Sequence, residues 1–98
     1  MIRSFKNKAL KRFWEKNDPR GINPNWLERV SIILDRLDGA ITPRDMDLPG
    51  LRFHARHGKE KGRYQVDLTG GWRVTFEWQD QDATKVDMVE DHRPRRRG

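Results

Sequence analysis

Hydrophobic positions along the chain follow two periods, and the change comes at Leu51. Before it the spacing is helical. In "KNKALKRFWEKND", Leu10, Phe13 and Trp14 stand at i, i+3 and i+4, one face of a helix, with lysines and Arg12 around the rest of the turn. Pro19 and Gly21 of "NDPRG" predict where that helix stops. In "NPNWLERVSIILDRLDGA", a second apolar stripe runs through Leu27, Val30, Ile33, Leu34, Leu37 and Ile41. Asn23 is suited to cap this helix and Pro24 to its first position, where a missing N–H costs nothing. Gly39 supplies the stop signal. "MIRSF" predicts a short strand ahead of both helices, and "TPRDMDLPG" a loop behind them.

After Leu51 the period is two. "LRFHARH" is a candidate strand. "GRYQVDL" sets Tyr64, Val66 and Leu68 against Gln65 and Asp67, and "TGG" is a turn. "WRVTFEW" sets Trp72, Val74, Phe76 and Trp78 against Arg73, Thr75 and Glu77. "QDQD" turns again, and "TKVDMV" sets Val86 and Met88 against Lys85 and Asp87. Such a meander has one apolar and one polar face, and two amphipathic helices are at hand to cover the apolar one. The class this predicts is α+β, with two N-terminal helices packed on a small, mostly antiparallel sheet. The aromatic row is then core rather than a platform for stacking bases. The other face, with Arg73 among Gln65, Asp67, Thr75, Glu77, Lys85 and Asp87, stays open as a binding surface.

Composition narrows this reading. A chain of 98 residues is expected to form one domain, here residues 1–92, followed by a basic, flexible tail at 93–98. Charged residues (37%) outnumber hydrophobic ones (34%), which confines the core to the patterned segments. The absence of cysteine excludes disulfides and thiolate zinc sites. No apolar run nears the roughly 20 residues of a membrane span. "MIRSFKNK" also lacks the apolar stretch of a secretory signal, so a cytoplasmic protein is expected. Net charge is +6, unevenly spread. Residues 1–16 hold six Lys/Arg against one acid and residues 52–63 five against one, while residues 77–91 hold six acids against one lysine. Separate basic segments of this kind build a footprint for a polyanion.

The chemistry-bearing residues lie in the second half. His54, His57 and His92 are accompanied by Arg56, Lys59, Lys61, Arg63 and Arg73. Cleaving an RNA phosphodiester needs a base for the 2′-hydroxyl proton, an acid for the leaving 5′-oxygen and cations for the charge on phosphorus. Histidine titrates near neutrality, and arginine offers a fork to phosphate. Histidines near strand ends are also commonly just solvated. His54-x-x-His57 with Asp91 and His92 is a conceivable zinc set, but the dense positive charge argues against it. There is no P-loop, no GxGxxG and no nucleophile-elbow serine, so no metal and no cofactor is expected.

Three segments in order, "MIRSFKNKALKRFWEK", "LRFHARHGKEKGRYQVDLTGGWRVTFEW" and "VEDH", resemble the HigB toxins of the RelE/ParE superfamily over residues 1–92. The resemblance implies a type II toxin that cleaves mRNA on the translating ribosome, in the A site of its smaller half, by metal-independent 2′-hydroxyl attack. A HigA-type helix-turn-helix antitoxin would hold it inactive, and operator DNA would be reached only through that antitoxin. His54, Arg73, Asp91 and His92 carry over as catalytic residues. By their charge and position, His57, Arg56, Lys59, Lys61, Arg63 and Arg93 are expected as RNA contacts. Two departures stand out. His57 occupies the position of a family lysine, and the tyrosine of the terminal "D-Y-H" is missing. Without a gap Glu90 takes the acid position and Asp91 replaces the tyrosine; with a one-residue deletion Asp91 is the acid and His92 follows it directly. The arginines from Arg93 onward would grip RNA backbone or simply be solvated. A non-catalytic basic module with the same fold, and a ParE-like gyrase inhibitor, are the alternatives.

Overall fold

A computed structural model of the chain describes residues 1–90. Helix α1 runs over Lys8–Lys16 and α2 over Leu27–Gly39. Four strands follow, β1 (His54–Ala55), β2 (Arg63–Thr69), β3 (Trp72–Gln79) and β4 (Asp82–Glu90). They form one antiparallel sheet in the order β1-β2-β3-β4. The expected architecture, two helices on a small sheet, is present.

The helix ends follow the local chemistry. The Asn7 side chain accepts from the Leu10 N–H at 2.9 Å, satisfying a donor of the first turn of α1. Asn17 closes that helix in the left-handed conformation (φ 55°). Asp18 then accepts from the backbone N–H of Arg20 at 3.1 Å and from its Nη2 at 2.7 Å, which turns the chain toward α2. Asn23 caps, as expected, but the element it starts is a 3₁₀ turn at Pro24–Trp26 that leads into α2. Val30, Ile33, Leu34 and Leu37 of α2 are fully buried, one side of the helix at i, i+3, i+4 and i+7. Ile41 does not continue the stripe and is 63% exposed. The helix ends at Gly39, Ala40 is extended, and the chain leaves with Ala40 turned inward. The following loop holds a 3₁₀ turn at Pro43–Met46 that buries Met46.

Val66 and Leu68 of β2, Val74 and Phe76 of β3, and Ala83 and Val86 of β4 join Leu10 and the α2 stripe in one core. Phe76 is fully buried, while Tyr64, Trp72 and Trp78 pack around the core as half-buried rings. The aromatic row is therefore core and core edge. Tyr64 stacks on Phe76 at 5.7 Å between centroids, and Phe76 meets Trp78 edge-on at 6.2 Å.

Two elements differ from the reading of the pattern. The strand expected over "LRFHARH" shrinks to His54–Ala55, because Arg52 adopts φ 50° and breaks the extension before it. "MIRSF" pairs with β4 in the parallel sense at only two bridges, Ile2 with Ala83 and Phe5 with Val86. A bulge in β4 interrupts that ladder. Thr75 stands opposite Asp87 but Glu77 opposite Thr84, so β4 takes one extra residue between them. The extra residue is Lys85, at φ 51°, and its N–H donates to Ser4 Oγ at 2.9 Å.

Two outcomes are expected. The Arg20 hydrogen bonds hold the Asp18 carboxyl down at about 2 instead of 3.8. A carboxyl depressed by folding contributes stability above its unfolded value and loses it as pH falls from about 4 toward about 2. Arg20→Ala should return the Asp18 midpoint toward 3.8 in an NMR titration and flatten the acid limb of stability over that window. At Lys85 a β-branched side chain is poorly tolerated by a left-handed backbone. Lys85→Val should cost about 1 kcal/mol in urea denaturation, and Lys85→Gly should cost less.

Candidate active site

The open face of the sheet is built by register. His54 faces Gln65, Gln65 faces Thr75, and Thr75 faces Asp87. One row further Asp67 faces Arg73, and on the other side Arg63 faces Glu77. Alternation sends these away from the Val74–Phe76 face, as the pattern predicts for Gln65, Asp67, Arg73, Thr75, Glu77 and Asp87. A cleft of about 640 Å³ opens here, lined chiefly by His54, Arg56, His57, Glu60, Gln65 and Arg73. It brings His54 and Arg73 together with two of the expected RNA contacts, Arg56 and His57.

Each cation reaches the cleft differently. Arg73 is anchored at its base. Its Nη1 donates to the carbonyls of Gly70 and Trp72, both at 3.2 Å, and its Nε lies 3.1 Å from Asp67 Oδ1. That last contact is an ion pair without hydrogen-bond alignment, since no acceptor lies along the buried Nε–H. Arg56 donates from Nε to Gln65 Oε1 at 2.9 Å and from Nη1 to Glu60 Oε1 at 2.8 Å. His54 and His57 are both exposed. His54 and Arg73 stand two strands apart, roughly 10 Å across the sheet by strand spacing. They do not touch, and a bound group would span them.

The remaining expected contacts separate. Arg63 donates from Nη2 to Thr75 Oγ1 at 2.6 Å and from Nη1 to Glu77 Oε2 at 3.2 Å. It lies over Thr75, which is only 1% exposed although it belongs to the open face. Arg63 therefore does not line the cleft; it roofs the sheet. Lys59, in a 3₁₀ turn at Gly58–Glu60, and Lys61 just after it are exposed beside the cleft, with no ion pair among the described residues. Asp91, His92 and Arg93 lie outside the described residues. Glu90, the last described position, faces Trp72 across the ladder and so is out of phase with Arg73.

Glu60 and Gln65 complete the cleft; the alternation already puts Gln65 on the open face, but it gives neither residue a site role. Spacing alone hints at Glu60, which sits four residues after Arg56 and pairs with it. Gln65 is assigned only by its register opposite His54. Among the described residues no group of three or more His, Asp or Glu side chains is arranged to hold a metal ion. No helix among them is long and apolar enough to cross a membrane.

Two helices packed on a four-stranded antiparallel sheet are the fold of a RelE-like toxin. Residues 3–92 match the family model described as the RelE-like toxin of type II toxin–antitoxin system HigB. The chain belongs to that family, whose toxins are paired with an antitoxin. It is 27% identical over 92 residues to the endoribonuclease HigB of Proteus vulgaris, covering 94% of this chain and all of that one. A copper-bound mutant toxin from Helicobacter pylori has the same fold, with a TM-score of 0.51 and 16% identity over 92% of this chain and 94% of its own.

The two kinds of cation make a contrast that can be measured. Arg63→Ala should lower stability by about 1.5–3 kcal/mol, the loss of charged hydrogen bonds over a buried threonine. It should also leave the salt dependence of RNA binding unchanged. Lys59→Ala with Lys61→Ala should do the reverse, keeping stability and flattening the salt slope measured by fluorescence anisotropy.

Proposed function

We propose that this toxin is a ribosome-dependent endoribonuclease that cuts translated mRNA by 2′-hydroxyl attack. The convergence of His54 and Arg73 on one cleft supports the reading most directly. The similarity to the Proteus vulgaris endoribonuclease supports it independently.

In the reaction, a base takes the proton of a ribose 2′-hydroxyl. The freed oxygen attacks the adjacent phosphorus and forms a 2′,3′-cyclic phosphate. The 5′-oxygen leaves with a proton from an acid. Arg73 holds the scissile phosphate and offsets the charge that builds on its oxygens. His54, exposed in the cleft, moves one of the two protons. Asp91 and His92 are proposed as the second acid–base group on chemical grounds alone. His57 and Arg56 meet the flanking backbone inside the cleft, and Lys59 and Lys61 meet it at the rim. Arg93 is proposed to extend that contact. Residues 1–92 would form the catalytic domain and residues 93–98 a basic extension. The antitoxin would be of the HigA helix-turn-helix type, the place of action the ribosomal A site, and the compartment the cytoplasm.

Mapping of mRNA ends after brief induction tests the reading. The parent chain should leave discrete cuts inside translated regions, only where ribosomes are present. His54→Ala and Arg73→Ala should each reduce cutting by roughly 100-fold or more while still co-purifying with the antitoxin. Intact messages with continued growth would instead mark a binding module, and intact messages with arrested replication a gyrase inhibitor.

A further inference from the structure

Arg73 is well placed in the proposed reaction only if its guanidinium is held, and the contact nearest its Nε comes from a residue with no assigned role. Asp67 stands directly opposite Arg73 in the β2–β3 ladder, and both side chains are mostly shielded from solvent. Asp67 Oδ1 lies 3.1 Å from Arg73 Nε. Its other oxygen, Oδ2, lies 3.6 Å from Arg52 Nε. Its backbone N–H donates to the Leu51 carbonyl at 2.7 Å. Asp67 thus ties the segment leading into His54 to the strand that carries Arg73.

The bonding of Arg73 shows what this does. Nε faces Asp67 and Nη1 is taken by the Gly70 and Trp72 carbonyls, whereas Nη2 has no hydrogen-bond partner among the described residues. A guanidinium is planar, so fixing two of its nitrogens aims the third. Arg73 lines the cleft. We propose that Asp67 is a positioning residue whose carboxylate holds Arg73 from behind and presents the Nη2 end to a phosphate in the cleft. The inference rests on the nuclease reading for its consequence and on the ladder geometry for its mechanism.

A carboxylate beside a phosphate-binding arginine also lowers the local positive potential, so charge and orientation oppose each other. Orientation dominates in this geometry. The two carbonyls hold Nη1 only, and without Asp67 the side chain can swing about them. A misplacement of about 1 Å is enough to cost roughly 100-fold in rate.

The test is single-turnover cleavage of a message on translating ribosomes by the full chain, with Asp67→Ala, Asp67→Asn, Arg73→Lys and the Asp67→Ala/Arg73→Lys double variant. Asp67→Ala should lower the rate at saturation by roughly 10- to 100-fold, with half-saturation shifted less than about twofold and thermal unfolding little changed. Asp67→Asn, which keeps a polar side chain of the same shape against Arg73 without the charge, should recover part of the loss. In the Arg73→Lys background Asp67→Ala should cost little more, because its effect passes through the guanidinium. An Asp67→Ala chain that cuts at the parent rate, or whose loss is undiminished in that background, overturns the proposal. Should the parent cut nothing, the nuclease reading fails and the positioning is read by NMR instead. Side-chain ¹⁵N relaxation should then show the Arg73 guanidinium restrained in the parent and more mobile in Asp67→Ala, and unchanged motion would overturn the positioning role itself.

Discussion

Burial of Val74 and Phe76 sets the rotation of β3 about its own axis, and every polar contact on the far face depends on that rotation. With these two side chains turned into the core beside the α2 stripe, Arg73, Thr75 and Glu77 must point the other way. The β2 register then places Asp67, Gln65 and Arg63 against them in turn. A slip of one residue would turn Arg73 into the core and expose Phe76. The hydrophobic pattern of one strand thereby specifies where a cation stands on the other side of the sheet.

Much of this was legible in the chain. The Val30, Ile33, Leu34, Leu37 spacing and the strict alternation from Tyr64 to Trp78 describe two helices and a meander without further help. The same alternation puts Arg73 on the open face. It does not say who its neighbours are. Gln65 and Glu60 join the cleft through register and through a loop pairing, both of which depend on the folded sheet. The catalytic roles expected of His54 and Arg73 follow from family resemblance, since the pattern distinguishes faces and not roles. The bulge at Lys85 has no local signature, because a lysine at positive φ is favoured by nothing in its own sequence. It is held by Ser4, about eighty positions earlier. The shortening of β1 likewise turns on Arg52, whose left-handed backbone an alternating pattern does not announce.

Many of the cations behind the net charge of +6 differ in their setting once the fold is known. Arg3, Arg12, Arg20, Arg52, Arg56, Arg63 and Arg73 all take part in ion pairs with acids of the same chain. Lys6, Lys8, Lys11, Lys16, Lys59 and Lys61 are exposed and have no ion pair among the described residues. The planar fork of arginine suits fixed positions on a sheet, and the hydrated ammonium of lysine suits a surface that meets a polyanion through solvent. Counting cations along the sequence treats the two alike. The structure assigns these arginines to architecture and leaves those six lysines as a solvent-facing positive field, whereas Lys85 pairs with Glu77 at 3.6 Å.

The stitching of residues 1–6 onto β4 has a consequence for the order of events in synthesis. Met1, Arg3, Ser4 and Lys6 exchange backbone hydrogen bonds with Ala83 and Val86. These pairs close a loop of nearly the whole domain, which is the slowest kind of contact to form. Residues 1–6 leave the ribosome long before Ala83 and Val86 and must wait for them before their edge of the sheet is satisfied. While β4 is still inside the exit tunnel, the growing chain has its helices but neither this closure nor the strand that flanks Arg73. This domain is therefore structurally incomplete until β4 has been made.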